Sequence, residues 1–194
     1  MPSSIAERQR SGDWPLTPER ACISVAGMTV KNPYAAALGT LDPLVALADT
    51  PKKIQRLTGK WTKRQWERTY APGKWSARRL LIHLAQAELA LTTRVRFAAS
   101  QDGYTAQPFD QDAWLALDDH ADGPTALEAY VALRRLNVAL FKGLTPTQRK
   151  RTFKHPEYGA LTPQWVLAQL AGHDLHHLKQ LQSIGRAISD IRGR

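Results

Sequence analysis

One stretch decides the fold: Leu170-Ala171-Gly172-His173-Asp174-Leu175-His176-His177-Leu178-Lys179-Gln180. It has the composition of a long helix and contains three of the six histidines of the chain. An α-helix turns about 100° per residue, so side chains four residues apart lie about 40° apart on the same face. His173 and His177 therefore present two imidazoles one turn apart, a spacing that helices use to offer two ligands to one metal ion.

A third ligand is expected elsewhere, because two imidazoles rarely suffice to hold a metal. The best candidate is His83, which lies in the apolar helical run Leu80-Leu81-Ile82-His83-Leu84-Ala85. His176 competes with His177, but a separation of three residues aligns side chains less well than one of four, which places His176 at the rim. The alternative is that the histidines of the fourth helix are partly exposed near its C-terminus, where a positive charge is favoured.

The composition fits one ordinary domain. The chain has 194 residues, 43% of them hydrophobic, and no apolar run approaches the roughly 20 residues that a membrane span requires. Its single cysteine, Cys22, excludes an intrachain disulfide and a thiolate-rich metal site, so any metal is held by nitrogen and oxygen. The same cysteine usage favours a cytoplasmic location.

Most of the net charge of +10 lies in residues 52–79, where ten basic residues face one acid, Glu67. A basic stretch of this kind attracts nucleic acid, an acidic membrane surface or a small anion. The competing interpretation is a solvated face of a basic protein. We therefore expect nucleic-acid binding to be absent or weak and non-specific.

Hydrophobic periodicity predicts an all-α protein with four helices and no sheet. The first helix spans about residues 41–57, and Pro51 is expected to split it into two parts. The second follows the N-cap Ser76 and reaches about residue 100, and the third spans about residues 123–142. The fourth opens at Thr162-Pro163 and is expected to end near residue 184, since Gly185 suits the position after a helix.

The helices define the predicted domain organisation. A long polar loop, residues 103–122, joins the second and third helices, and loops of that length tend to carry function. We predict an irregular N-terminal extension over residues 1–35, a four-helix bundle over residues 36–186 and a tail over residues 187–194.

Three short motifs resemble those of the DinB/YfiT-like superfamily over about residues 32–184. They are Trp75-Ser76 followed by His83-Leu84-Ala85, then His155-Pro156-Glu157-x-Gly159 followed by Leu161-Thr162, and finally Gly172-His173-Asp174-x-x-His177-Leu178-x-Gln180. The resemblance implies a four-helix bundle, commonly dimeric, with a nickel or zinc site held by three histidines. By position those ligands are His83, His173 and His177.

The resemblance also implies a chemistry in which a metal activates a thiol or a water molecule. We favour a transferase that uses a low-molecular-weight thiol on a small-molecule electrophile, because a metal ion lowers the pKa of a bound thiol. A metal-dependent hydrolase is the first alternative. A non-catalytic metal-binding or stress-related bundle is the second.

Several other residues are candidates around this site. Asp174 and Glu157 are candidates to orient a ligand histidine, as carboxylates near metal sites do, and exposed acids are the equal alternative. Arg94 is a candidate to meet an anionic substrate, although a surface salt bridge is the simpler expectation. Three residues of the long loop are predicted to line the mouth of the pocket, and ordinary capping within the loop is the alternative. They are Asp110, Asp112 and Trp114.

Assembly is predicted from apolar residues beyond one stripe per helix. These residues are Leu38, Leu41, Val45 and Leu57 around the first helix and Leu133, Leu140 and Phe141 on the third. Surplus apolar surface often becomes a two-fold interface, so we expect a homodimer.

Overall fold

Four long helices pack side by side in the computed structural model, which describes residues 30–192. They are α2 (Pro43–Thr58), α4 (Ala77–Ser100), α6 (Gly123–Gly143) and α8 (Pro163–Arg192). Helices α6 and α8 each pack against both α2 and α4, so α2 and α4 lie diagonally across the bundle. The predicted four-helix bundle is confirmed.

Side-chain caps fix where these helices begin. Asp42, Ser76 and Asp122 each accept a hydrogen bond from the backbone N–H three residues further along the chain. Thr162 does the same for the N–H of Trp165 at the start of α8. Because the first N–H groups of a helix have no partner within it, these side chains define its first turn.

Pro51 does not divide the first predicted helix, because α2 is continuous from Pro43 to Thr58. A proline inside a helix removes the N–H that the carbonyl four residues earlier would accept. That carbonyl belongs to Leu47, and it accepts a hydrogen bond from Nη1 of Arg134 on α6 at 3.1 Å instead. The predicted break was wrong because a neighbouring helix supplies the missing donor.

The last helix is longer than predicted. It continues through Gly185 to Arg192, so residues 187–192 of the predicted tail are helical. A Cβ atom at Gly185 would lie 2.9 Å from Cδ1 of Leu57, so this glycine allows α8 to pack closely on α2. Its role is therefore close contact inside the helix, and the expected helix end there was wrong.

The predicted N-terminal extension, residues 1–35, lies largely outside the described residues, which begin at Val30. The described part packs on the bundle. Tyr34 is buried, and the carbonyl of Val30 accepts a hydrogen bond from Nε1 of Trp165 at 2.8 Å. The bundle therefore includes residues before the predicted boundary.

Smaller elements connect the long helices. The helical ones are α1 (Ala35–Leu38), α3 (Lys63–Trp66), α5 (Gln111–Leu117) and α7 (Pro146–Lys150). Helix α5 lies inside the connection that was predicted to be a loop. Strands β1 (Phe153–His155) and β2 (Gly159–Leu161) form an antiparallel hairpin, with Phe153 paired to Leu161 and a positive φ of 75° at Gly159. Three-residue strands are too short to show an alternating pattern, so the hairpin was missed.

A polar layer divides the apolar core into two parts. One part contains Leu47, Leu91 and Leu170, and the other contains Ile54, Leu80 and Leu181. Between them, α4, α6 and α8 carry buried histidines, acids and an arginine. Among residues 30–192, no helix combines the length and the apolar character that a membrane crossing requires.

Candidate metal centre and adjoining cavity

Three buried histidines converge between α4 and α8. Nε2 of His83 lies 2.9 Å from Nε2 of His173, which in turn lies 3.0 Å from Nε2 of His177. One nitrogen from each residue can be chosen so that all three lie within 4.8 Å of one another. The structure thus brings together the three residues that the sequence singled out, and a metal ion could occupy the space between them.

The contacts around Nε2 of His173 favour a cation over a hydrogen-bond network. This nitrogen carries either one proton or one lone pair, so only one of its two short contacts can be an ordinary hydrogen bond. If all three histidines carry their proton on Nδ1, three lone pairs face one another, an arrangement that a positive ion stabilises. A donor set made only of imidazoles suits divalent zinc, nickel or copper.

The tautomer of His177 is set by its neighbour Gln180. Nδ1 of His177 and Oε1 of Gln180 lie 2.6 Å apart, and an amide oxygen can only accept, so Nδ1 carries the proton. This leaves the lone pair of Nε2 facing the other histidines. Aromatic rings pack against the other two histidines. The ring centroid of Trp75 lies 5.0 Å from that of His83, and the ring centroid of Tyr34 lies 5.0 Å from that of His173.

Burial keeps His83 and His173 uncharged. The pKa of His83 lies well below its usual value, first because burial penalises the imidazolium and second because His177 is close. The pKa of His173 is lowered in the same way by burial and then by His177 and His83. Neutral imidazoles are the form that binds metal, so these side chains need not lose a proton at neutral pH.

The other candidates near the triad take different positions. His176 is half-buried and contacts Nε2 of Gln180 at 3.1 Å, outside the convergence of the three nitrogens. Asp174 points to Tyr130 and Arg134 on α6, so its carboxylate is not used to orient a ligand histidine. Glu157 is exposed, and its backbone N–H donates to Nδ1 of His155.

Asp174 belongs to a buried polar network that the sequence did not reveal. Arg134 on α6 donates to Asp174 on α8 and to Glu88 on α4, each at 2.5 Å, and to the carbonyl of Leu47 on α2. Asn137 donates to the second oxygen of Glu88 at 2.7 Å. One guanidinium therefore connects all four long helices directly beside the triad.

A small cavity opens next to the histidines and is lined by His83 and His173. Its wall includes Arg94, Gln169, Phe109, His155, Glu157 and Trp165. Burial lowers the pKa of His155 to about 4, with a smaller effect of Arg94, so this imidazole is neutral at pH 7. A molecule in the cavity would lie against the triad.

The loop candidates do not line this cavity. Asp110 caps α5 by accepting from the backbone N–H groups of Asp112 and Ala113. Trp114 packs edge-on against Phe109, and Phe109 is the residue of this loop that reaches the cavity. Arg94 does line it, and the surface salt bridge expected for Arg94 was wrong because the side chain is buried. Of the residues in this loop, the cavity wall includes Phe109 and none of the three that were assigned to its mouth.

The basic stretch is partly neutralised by contacts that its sequence does not show. Arg79 bonds to both carboxylate oxygens of Asp119 at 3.0 Å, and Arg78 pairs with Glu67 at 2.7 Å and with Asp119 at 3.1 Å. These contacts connect the start of α4 to the residues that follow α5. Residues 52–79 are therefore a less uniform positive surface than their count suggests.

A helical bundle with three converging, buried imidazoles defines a class of candidate metalloproteins. Residues 46–181 match the DinB superfamily, and the chain belongs to this family.

Named relatives agree with that membership. A protein of Oceanobacillus iheyensis, called "Putative metal-dependent hydrolase OB0782", is 27% identical over 139 residues, which are 71% of this chain and 81% of the relative. "Putative metal-dependent hydrolase YfiT" of Bacillus subtilis is 27% identical over 143 residues, 72% of this chain and 80% of the relative. The solved structure of YfiT has a four-helix bundle with an unusual topology. It matches with a TM-score of 0.69 at 24% identity, over 90% of this chain and 96% of YfiT.

Proposed function

We propose that this protein is a metal-dependent hydrolase of small molecules, with a divalent ion held by His83, His173 and His177. One observation carries the proposal: three Nε2 atoms converge at 2.9 and 3.0 Å in a buried site that adjoins a cavity. The names of the relatives, which describe metal-dependent hydrolases, support the choice of hydrolysis.

The chemistry follows from the donor set. A divalent metal held by three neutral imidazoles supplies Lewis acidity, which lowers the pKa of water toward neutrality. The chain itself supplies the rest. Gln180 fixes the tautomer of His177, Phe109 and Trp165 contribute apolar walls to the cavity, and the carboxylate of Glu157 is the cavity group that can accept a proton.

Thiol transfer is the second candidate, because an ion that activates water also stabilises a thiolate. Within the described residues, no feature of the cavity selects a thiol over water, and the relatives' names favour water. Both the hydrolase and the thiol transferase would use the three histidines. Turnover requires only water in the first and a thiol in the second. A bundle that binds metal without turnover is the third outcome.

Metal analysis and two activity assays on the same preparation test the proposal. We expect about one zinc or nickel ion per chain, and metal-dependent hydrolysis of p-nitrophenyl acetate without added thiol. Replacing His83, His173 or His177 by alanine should abolish both, while His176→Ala should largely retain them. The matched thiol assay uses glutathione or cysteine with 1-chloro-2,4-dinitrobenzene.

Each outcome selects one function. A chain that binds no metal, or that loses it with His176→Ala but not with His177→Ala, contradicts the proposed site. Turnover that requires a thiol selects the transferase. Stoichiometric metal with neither activity selects the non-catalytic bundle.

A further inference from the structure

Arg94 brings a positive charge into the cavity wall without a carboxylate from the described part of the chain in direct contact with it. Its side chain is only 8% exposed, and Nη2 donates to the backbone carbonyl of Gln107 at 2.7 Å. Within residues 30–192, Glu157 is the carboxylate that acts on its charge, and it does so at longer range than an ion pair. Arg134, which is 1% exposed, instead contacts two carboxylates directly. A buried cation with no carboxylate in contact is costly, which favours an anion that arrives from outside.

Gln169 supplies a second polar group in the same cavity. It is 3% exposed, and its Oε1 has no hydrogen-bond partner within the described residues. Buried polar atoms are nearly always paired, and an amide can offer a ligand either its oxygen or its N–H₂ group. Two incompletely paired polar groups, one cationic and one neutral, thus share a cavity whose other walls include Phe153, Leu161 and Trp165.

The charges of the cavity limit the kind of anion. Glu157 is the carboxylate in its wall, and His155 is neutral at pH 7. One guanidinium can balance one negative charge, and Glu157 repels a dianion such as a phosphate monoester more strongly than it repels a monoanion, so a monoanion fits better. The planar guanidinium also matches the two oxygens of a carboxylate. The small size of the cavity favours a short chain.

We propose that Arg94 and Gln169 bind the carboxylate of a short aliphatic monocarboxylate whose other end, an ester or amide group that can be hydrolysed, lies against His83 and His173. The proposal rests on the proposed function in one respect, namely that such a molecule is the substrate acted on at the triad. Arg94 is then a binding residue that selects substrates by charge.

Butyrate and butyramide are matched probes, because they have nearly the same size and differ in charge. Each is titrated into the full, metal-free chain while the ¹⁵N–¹H signal of the Arg94 Nε group is followed, so that no ligand can bind through a metal. We expect butyrate to shift this signal in a saturable way and to bind at least tenfold more tightly than butyramide.

Two variants test the two binding groups. Arg94→Gln should weaken butyrate binding at least tenfold, followed by the ligand's own NMR signals. Gln169→Glu should also weaken butyrate binding at least tenfold, because it adds a negative charge to the cavity. This variant keeps the hydrogen bond from Arg94 to Gln107, so it tests the carboxylate site even if Arg94→Gln does not fold. Arg135→Gln, an exposed arginine on α6, is the control and should bind as the unmodified chain does.

The result is separable from the proposed function. Equal binding of butyrate and butyramide, or unchanged butyrate affinity in Gln169→Glu, overturns the carboxylate site even if the chain binds metal. Selective butyrate binding by a chain that never takes up zinc or nickel supports the carboxylate site and refutes the metal-dependent hydrolase.

Discussion

The side chain of Gln180 contacts several groups beside the candidate metal centre. Its Oε1 accepts from Nδ1 of His177 at 2.6 Å, and its Nε2 donates to the hydroxyl of Tyr70 at 3.3 Å. Groups that hold the far nitrogen of a ligand histidine fix its tautomer and ring orientation. Gln180 stood in the quoted sequence motif, but only the structure gives it this role.

Gln180→Met should lower metal affinity about 10–100-fold, the range seen when such orienting partners are removed. Competition with a chromogenic chelator measures the change. Gln182→Met, an exposed glutamine on the same helix, is the matched control and should leave the affinity unchanged. Equal affinities in the two variants would show that His177 does not depend on Gln180 for its orientation.

The metal-free protein should lose stability in mild acid. His83 and His173 have lowered pKa values in the folded chain, so between the ordinary histidine pKa of about 6.5 and those lower values only the unfolded chain is protonated. The free energy of unfolding therefore falls as the pH drops below about 6.5, by up to about 1.4 kcal/mol per pH unit for each histidine.

Urea unfolding of the metal-free chain from pH 7.5 to 5 measures this slope. His83→Gln should make the slope shallower by roughly one proton, whereas His120→Gln, which replaces an exposed histidine, should leave it unchanged. A slope that is the same in the unmodified chain and in His83→Gln would mean that burial does not keep this imidazole neutral.

At the scale of the helices, Arg134 is the common contact. It is 1% exposed, donates to Glu88 and Asp174, and occupies the position that the missing N–H of Pro51 leaves open at Leu47. Removing one partner of a buried charge network leaves the others uncompensated, which is more costly than losing the contact itself.

Arg134→Met should destabilise the fold by about 3–5 kcal/mol, because two buried carboxylates and one carbonyl lose the hydrogen bonds that Arg134 donates. Chemical unfolding measures the loss. Arg135→Met changes the next residue, which is exposed, and should stay within about 0.5 kcal/mol of the unmodified chain. Adding Glu88→Gln and Asp174→Asn to Arg134→Met should recover part of the loss, and a further loss would contradict the electrostatic explanation.

The helices were predictable and the polar network was not, for a physical reason. Periodicity and N-caps such as Ser76 are local signals, and they placed α4 and α6 almost to the residue. Whether Leu47 finds a donor in place of Pro51 depends on a residue 87 positions away, which no local pattern contains. For the same reason, the local pattern does not reveal that α6 buries Arg134 and Asn137 and exposes Leu136.

The candidate metal centre was likewise predictable only in part. The four-residue spacing of His173 and His177, with His83 in an apolar run, identified the three residues that converge. The residues around them come from distant parts of the chain, such as Phe109 from the loop before α5 and Tyr34 from before α1. Their proximity to the triad is a product of the tertiary fold.

At the scale of the whole molecule, the apolar surface differs from the one expected. Leu38 is buried, and Phe141 is completely so, which makes both part of the core. Leu41 and Val45, at the start of α2, are 54% and 59% exposed. The homodimer stays a prediction, and we now expect its interface to include Leu41 and Val45.

Light scattering coupled to gel filtration tests assembly. We expect twice the chain mass of 21.7 kDa for the unmodified protein, and a shift toward a single chain for Val45→Glu, which places a charge on the exposed apolar surface. Leu117→Glu is the control, since Leu117 is also apolar and is 78% exposed on α5. A single-chain mass for the unmodified protein, or equal effects of both substitutions, refutes this interface.

The packing of Tyr34 against Gly172 limits how far the chain can be shortened. A Cβ atom at Gly172 would lie 2.5 Å from the carbonyl oxygen of Tyr34, so this glycine makes room for the segment that brings the Tyr34 ring to His173. A chain trimmed to begin at residue 36 would keep every long helix and all three histidines, yet it would expose one side of His173 to bulk water. Trimming should therefore stop before Val30, whose carbonyl anchors this segment to Trp165.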